Sequence, residues 1–543
     1  MNEPVLGWLR SFGDPLRNTK TAGQWIAGLP TSDALQIQRE ALELVAKFPG
    51  PRRAAGPGQA EALLRIDARL EPVIAQLTKQ YTLNYQKSSS IETRLWHAVF
   101  DLVKAFVAAY SASLRAGYPR ADLKHWRALL PWLLMRLVHY KGLDGKYRLF
   151  RYGQWIPAQW REFHELYEFA RLRGWQRHEL VGGVATFARS GLCIENVYLK
   201  TLMLMRLNSG NFTPDQVEWV ARLFDGWATG LELVGNAGHG TFFYVDLGGS
   251  QGMRRQDRTP MGVRPLFVDV APVYAQIAER LRWLPDNDES PLKPDELPHR
   301  EQRLLFMRLA SLFGPDAIAQ SPRATRTAAD GEVRVVVGLA ALTRAISEIE
   351  RLPDSARTPG VATSFDEITE MIAPAVRPEV VARRALGSVW TMADRSETGC
   401  RLTAPVKEAP ARLGELLAIK EGETWALAVV RRMQRHTVDE TTVGVEIVGR
   451  RLIRVLVRNW VTPSDVGHAA ADRPFYAIYL PAHPDNRQAA QRSLIGPDDR
   501  FSKGAMVELD TGGARYLIRF TQALERQAGW AWTLFSAVRK LAP

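Results

Sequence analysis

Cysteine is nearly missing from this chain: there are two in 543 residues, Cys193 and Cys400, about two hundred positions apart. That excludes a disulfide-stapled scaffold and any thiolate metal site, and it fits a reducing, cytoplasmic compartment. Long apolar runs are missing too. The most apolar helical stretch, Ala128 to Tyr140, is short and broken by Arg136, far below the roughly 20 residues of a span, so no membrane span is expected. The opening Met1 to Trp8 has no basic stretch followed by an apolar run, so no export signal is expected. The net charge is +13, yet no five Lys/Arg residues stand together. Such a balance favours anionic partners, but without a basic stripe or recognised fold signature there is no DNA-binding motif.

Catalytic groupings are equally scarce. No nucleophile elbow, phosphate-binding loop or dinucleotide fingerprint occurs. His164-Glu165 and His178-Glu179 each begin like a zincin helix but lack the second histidine. Both histidines are expected on the outer faces of amphipathic helices. The sixteen tryptophans, Trp96, Trp132, Trp160 and Trp425 among them, fall at packing positions and are expected in the core. No enzyme, cofactor or metal is expected.

What is present divides in two. Apolar residues at helical spacing predict helices over about 32–49, 58–82, 91–114, 121–140, 158–173, 176–189, 194–208, 214–231, 270–283 and 299–313. Their short polar connections suggest a helical-repeat layer, with a faint tetratricopeptide flavour between Trp160 and Trp175. The segment Gly235 to Gly240 reads as a turn feeding a strand at Thr241 to Leu247, and Glu332 to Val337 as another strand. The fold class expected is α+β and multidomain: a helical N-terminal region over 1–350, a Pro/Gly/Ser-rich linker at 351–379, a small β-barrel at 380–462 and a second barrel or sandwich at 470–543.

The most informative stretch of the β-rich part is Asp394-x-Ser396-x-x-Gly399, between two strand patterns. Asp and Ser side chains bond backbone N–H groups in turns, and Gly supplies the positive φ a tight turn needs. A carboxylate at a turn tip also suits the N1–H and N2–H edge of guanine. Arginines fork onto guanine O6 and N7, stack on the base and pair with phosphate. Arg377, Arg383, Arg384 and Arg401 lie close in sequence to this turn.

Together with Gly414 to Ile419, Trp425 to Arg432 and Val443 to Ile447, this stretch resembles the PilZ domain over roughly residues 377–450. The resemblance implies a barrel that binds cyclic di-GMP, with Asp394, Ser396 and Gly399 as the turn motif. Arg383 and Arg384 would stand in for the arginine arm, with Arg377 and Arg401 beside them. The arginine spacing departs from the family, whose two arginines are four apart. The function implied is a cytoplasmic cyclic di-GMP receptor or adaptor that couples nucleotide binding to an unidentified protein partner through the helical region. The alternative is a non-catalytic scaffold whose degenerate barrel binds proteins and no nucleotide.

Overall fold

The computed structural model describes residues 14–30, 32–49, 54–85, 89–180, 193–207, 210–236, 242–255, 262–284, 297–315, 326–349, 387–405, 411–422, 424–435, 440–460, 474–488, 490–511, 514–527 and 529–541. The chain forms two compact units, Met1–Ser321 and Pro322–Pro543. The fold class is mixed α+β, helical first and barrel-forming second.

In the first unit the helices are α1 (Thr19–Ala27), α2 (Ala34–Val45), α3 (Pro57–Asn84), α4 (Ser89–Gly117), α5 (Lys124–Leu149), α6 (Pro157–Leu172), α7 (Ile194–Arg206), α8 (Pro214–Trp227), α9 (Ala271–Trp283) and α10 (His299–Phe313). Their starts follow local chemistry. Asp33 caps α2 by accepting from Gln36 N at 3.0 Å, and Pro57, Pro157 and Pro214 occupy first turns, where a missing N–H costs nothing. Arg136, which interrupts the apolar pattern of α5, is buried. Its Nε and Nη2 donate to the buried Asp67 of α3 at 2.6 and 2.8 Å, and Tyr140 Oη donates to the same carboxylate at 2.5 Å. The interruption is therefore an internal ion pair rather than an exposed turn of helix.

Two helical expectations change. The helix expected at 121–140 runs on to Leu149, through Asp144, Gly145 and Lys146, whose polarity hid it. Gln176 to Leu180, expected to be helical, are turn and coil, and the rest of that prediction lies outside the described residues. The cause is tertiary: Gly174, at φ +72°, ends α6, and Arg177 reaches to Glu195 of α7 and to the Leu233 carbonyl. After α8 comes a three-stranded antiparallel sheet, β1 (Phe242–Asp246), β2 (Arg254–Arg255) and β3 (Pro265–Asp269), ordered β2-β1-β3.

The second unit holds two closed six-stranded barrels. The first contains β4 (Thr327–Val337), β5 (Ser388–Ser396), β6 (Gly399–Pro405), β7 (Leu416–Glu421), β8 (Thr424–Arg435) and β9 (Glu440–Gly449), in the order β4-β5-β6-β9-β8-β7. Its first strand thus precedes the stretch read as a linker, which itself lies outside the described residues. The second contains β10 (Ile453–Asn459), β11 (Phe475–Leu480), β12 (Ser493–Gly496), β13 (Met506–Asp510), β14 (Arg515–Gln527) and β15 (Trp530–Leu541), in the order β10-β11-β12-β15-β14-β13. β10, assigned from sequence to the first barrel, is a strand of the second. Closure leaves neither of these two sheets with an open edge.

A helix, α11 (Leu339–Ile349), follows β4. Its Leu342, Ala345 and Ile346 join Leu416 and Ala418 of the first barrel and Ile478, Ile495 and Trp530 of the second in one apolar core. Trp530 Nε1 also donates to the Gly414 carbonyl at 3.0 Å, and Arg431 pairs with Glu525, tying barrel to barrel. Both cysteines are buried and neither is in a disulfide.

Candidate functional site

The hairpin singled out from sequence is present. β5 and β6 are joined by the two-residue turn Glu397-Thr398, with Ser396 opposite Gly399. A register shift between Met392 and Asp394 re-aims the strand just before the motif, as bulges do. Asp394 then lies opposite Arg401, and its side chain is 12% exposed. Its Oδ2 accepts from Arg401 Nη2 at 2.8 Å and its Oδ1 from Arg326 Nη1 at 2.9 Å. Both guanidiniums are about half exposed, at 50% and 48%. Ser396 Oγ donates to the Gly399 carbonyl at 3.0 Å, closing the turn on itself.

Gly399 is required for a reason other than the one expected. It is not among the glycines of positive φ; a Cβ there would run into the Val445 carbonyl of β9. The structure therefore brings Asp394, Ser396, Gly399 and Arg401 together, and adds Arg326, which precedes β4 and which the linear sequence placed too far away to consider. Arg377, Arg383 and Arg384 lie outside the described residues. What this corner offers is a carboxylate already paired through both oxygens with two arginines, whose half-exposed guanidiniums face solvent more than the carboxylate does.

The first unit holds a different arrangement. A cavity of about 260 Å³ lies between the α5–α6 connection, α6, the end of α7 and the segment entering β2, with Trp155, Trp160, Met205, Arg206, Gly252 and Arg254 in its wall. A neighbouring cavity of about 230 Å³ shares Gln251, Gly252 and Arg254 and adds Tyr244, Asp246 and Ser250. Trp155 and Trp160 meet edge to face with centroids 4.8 Å apart. His164 of α6, expected on the surface, is buried: Nδ1 meets Tyr198 Oη at 2.6 Å and Nε2 meets the Gln251 carbonyl at 2.9 Å. Burial lowers its pKa below the usual histidine value. His178 is exposed as expected, though on no helix.

Sequence reasoning missed this second arrangement because it read the tryptophans as core, and Trp160 both packs and lines a cavity. The signal available was Asp246-Leu247-Gly248-Gly249-Ser250-Gln251-Gly252-Met253-Arg254-Arg255, a strand end followed by a Gly/Ser loop closed by an arginine pair. Among the described residues there is no group of three metal-ligating side chains, and no helix long and apolar enough to cross a membrane.

Residues 20–237 match a protein family described as the N-terminal domain of the cyclic-di-GMP receptor FimW. The match spans α2 to α8 and most of α1, less than half of the chain. It stops short of the stretch that resembles PilZ, and no PilZ domain is named by it. No curated protein and no solved structure matches the chain.

Proposed function

We propose that this protein is a non-catalytic cyclic di-GMP receptor that acts in the cytoplasm. The single observation that carries the reading is the match of residues 20–237 to the receptor family's N-terminal domain. The excess of positive charge supports an anionic ligand, and the scarcity of cysteine, with neither of the two in a disulfide, supports a reducing compartment. A receptor that performs no chemistry must pass its bound state to another molecule. We therefore include in the proposal a protein partner whose affinity differs between the free and bound forms.

In the PilZ-like version of this reading the ligand sits on the hairpin of the first barrel, near Asp394, Ser396, Gly399 and Arg401. Arg326 and Arg401 would turn their half-exposed guanidiniums to phosphate, and Arg377, Arg383 and Arg384 would complete the arm. A second reading is favoured by the hydrogen bonds of that corner. With Asp394 neutralised by two arginines and Ser396 bonded to Gly399, the hairpin is satisfied without a ligand, as a barrel that binds no nucleotide would be.

Calorimetry of the intact chain with cyclic di-GMP tests the receptor proposal, with GMP and cyclic di-AMP as controls. Saturable binding of cyclic di-GMP at least tenfold tighter than either control is expected. No heat and no rise in melting temperature with ligand in large excess would remove the receptor reading and leave the scaffold.

A further inference from the structure

We propose that the ligand site of this receptor lies in the helical unit, in the double cavity walled by Trp155, Trp160, Arg206, Asp246 and Arg254, and that it takes a guanine dinucleotide. The inference rests on the receptor reading above and assigns it a place distinct from the barrel hairpin.

Among the described residues, the arginines there lack the carboxylates that pair with arginines such as Arg136 and Arg431. Arg206 Nη1 donates to the Met253 carbonyl at 3.3 Å, Nε and Nη2 each reach the Leu312 carbonyl at 3.4 Å, and the guanidinium lies 4.4 Å from the Phe243 ring centre. No acidic side chain among the described residues pairs with it. Burial and the nearby Arg255 lower its pKa to about 10. Arg255 donates to the Pro315 carbonyl, yet its Nη1 is buried with no hydrogen-bond partner among the described residues. Arg254 is exposed, and its side chain makes no hydrogen bond or ion pair among the described residues. Arg206 and Arg254 line one cavity, with Arg255 near Arg206 behind its wall, and guanidinium donors without a carboxylate are a stored demand for an anion that phosphodiester oxygens meet bidentately.

The rest of the wall suits a purine. Trp155 and Trp160 supply an aromatic lining, the general device for holding a base. In the adjoining cavity Asp246 Oδ1 accepts from Gly248 N and Arg264 N, each at 3.0 Å. Oδ2 accepts no hydrogen bond among the described residues, so a carboxylate oxygen stays open for the N1–H and N2–H edge that distinguishes guanine. Arg254 belongs to both cavities. Two base-sized recesses joined at an arginine match a ligand whose two bases are joined through phosphates.

The framework around the recesses is built and fixed. Buried His164 holds the Gln251 carbonyl, and Gly252 passes so close to Trp160 that a Cβ would stand 2.6 Å from its ring. The backbone of 251–254 is thereby pinned against the indole.

The test is calorimetry of cyclic di-GMP on the intact chain, comparing wild type, Arg254→Ala, Asp246→Asn, Arg401→Ala and Asp394→Ala, with a thermal melt of each. Arg254→Ala carries the result because that side chain has no partner to lose among the described residues. Asp246→Asn is interpreted only if its melt matches wild type. Expected is at least a tenfold loss of affinity for Arg254→Ala, with Arg401→Ala and Asp394→Ala within threefold of wild type. Wild-type binding that survives Arg254→Ala and is lost in the two barrel variants would overturn the cavity site and leave the receptor reading standing. No binding by wild type would instead overturn the receptor reading, and the cavity assignment with it.

Discussion

The β5–β6 hairpin of the first barrel and the double cavity of the helical unit draw on the same chemistry, a carboxylate and arginines, and use it in opposite ways. At the hairpin the groups face one another: Asp394 is consumed by Arg326 and Arg401. In the helical unit they are kept apart. Asp246 spends one oxygen on two backbone N–H groups, while Arg206 and Arg255 lean on carbonyls. A recognition motif in sequence names the residue types present, but only the fold decides whether they satisfy each other or wait for a ligand.

The contrast can be broken or sharpened at several points. The largest expected effect belongs to an internal pair that resembles the hairpin in kind but not in burial. Asp67→Ala takes the bidentate partner from buried Arg136, leaving it the part-buried Glu71 at 2.8 Å, and should cost about 3 kcal/mol in denaturant unfolding of the helical unit. Next is Gly252→Ala, which drives a methyl into Trp160 and should cost about 1–3 kcal/mol. It should also weaken cyclic di-GMP binding in calorimetry; a variant as stable and as tight-binding as wild type would mean that this backbone segment is not a fixed wall. Asp394→Ala, by contrast, should cost at most about 1 kcal/mol, because both of its arginines are half exposed and solvent screens them.

The smallest effect is one of pH. His164 is buried, and burial lowers its pKa, with Asp246 and the Gln251 carbonyl opposing in part. The folded state thus binds this proton less readily than the unfolded chain. Its contribution to stability is present above about pH 6.5, the unfolded value, and falls away as pH drops from there toward the folded pKa. Melting of wild type against His164→Gln from pH 7.5 to 5 should show that slope in wild type and a flatter profile in the variant.

Much of the fold was legible because periodicity is a local property. α10 was read at 299–313 and found over His299–Phe313, and α3, read at 58–82, spans Pro57–Asn84. Both bury a continuous apolar stripe. Reading failed where burial was polar or the element was short. α5 ran past its expected end because Asp144 is buried with Arg148 and Trp155 as partners. β12 went unnoticed because four wholly buried residues show no alternation. β4 begins five residues ahead of its expected start at Glu332, in Thr327-Ala328-Ala329-Asp330-Gly331, where no apolar alternation marks a strand.

The site was legible only as a hairpin. Asp394, Ser396, Gly399 and Arg401 do meet, since adjacent strands put them in reach of one another. Arg326 was invisible because it comes from a strand entry 68 positions away. Trp155, Trp160, Arg206, Asp246 and Arg254 come from a loop, two helices and two strands, and no linear spacing relates them.

Hydrogen–deuterium exchange on the intact chain, with and without saturating cyclic di-GMP, tests the central claim most directly. Protection of peptides covering 154–164 and 246–255, with 394–401 unchanged, is the result this account predicts. Protection confined to 394–401, with the helical unit unchanged, would contradict it.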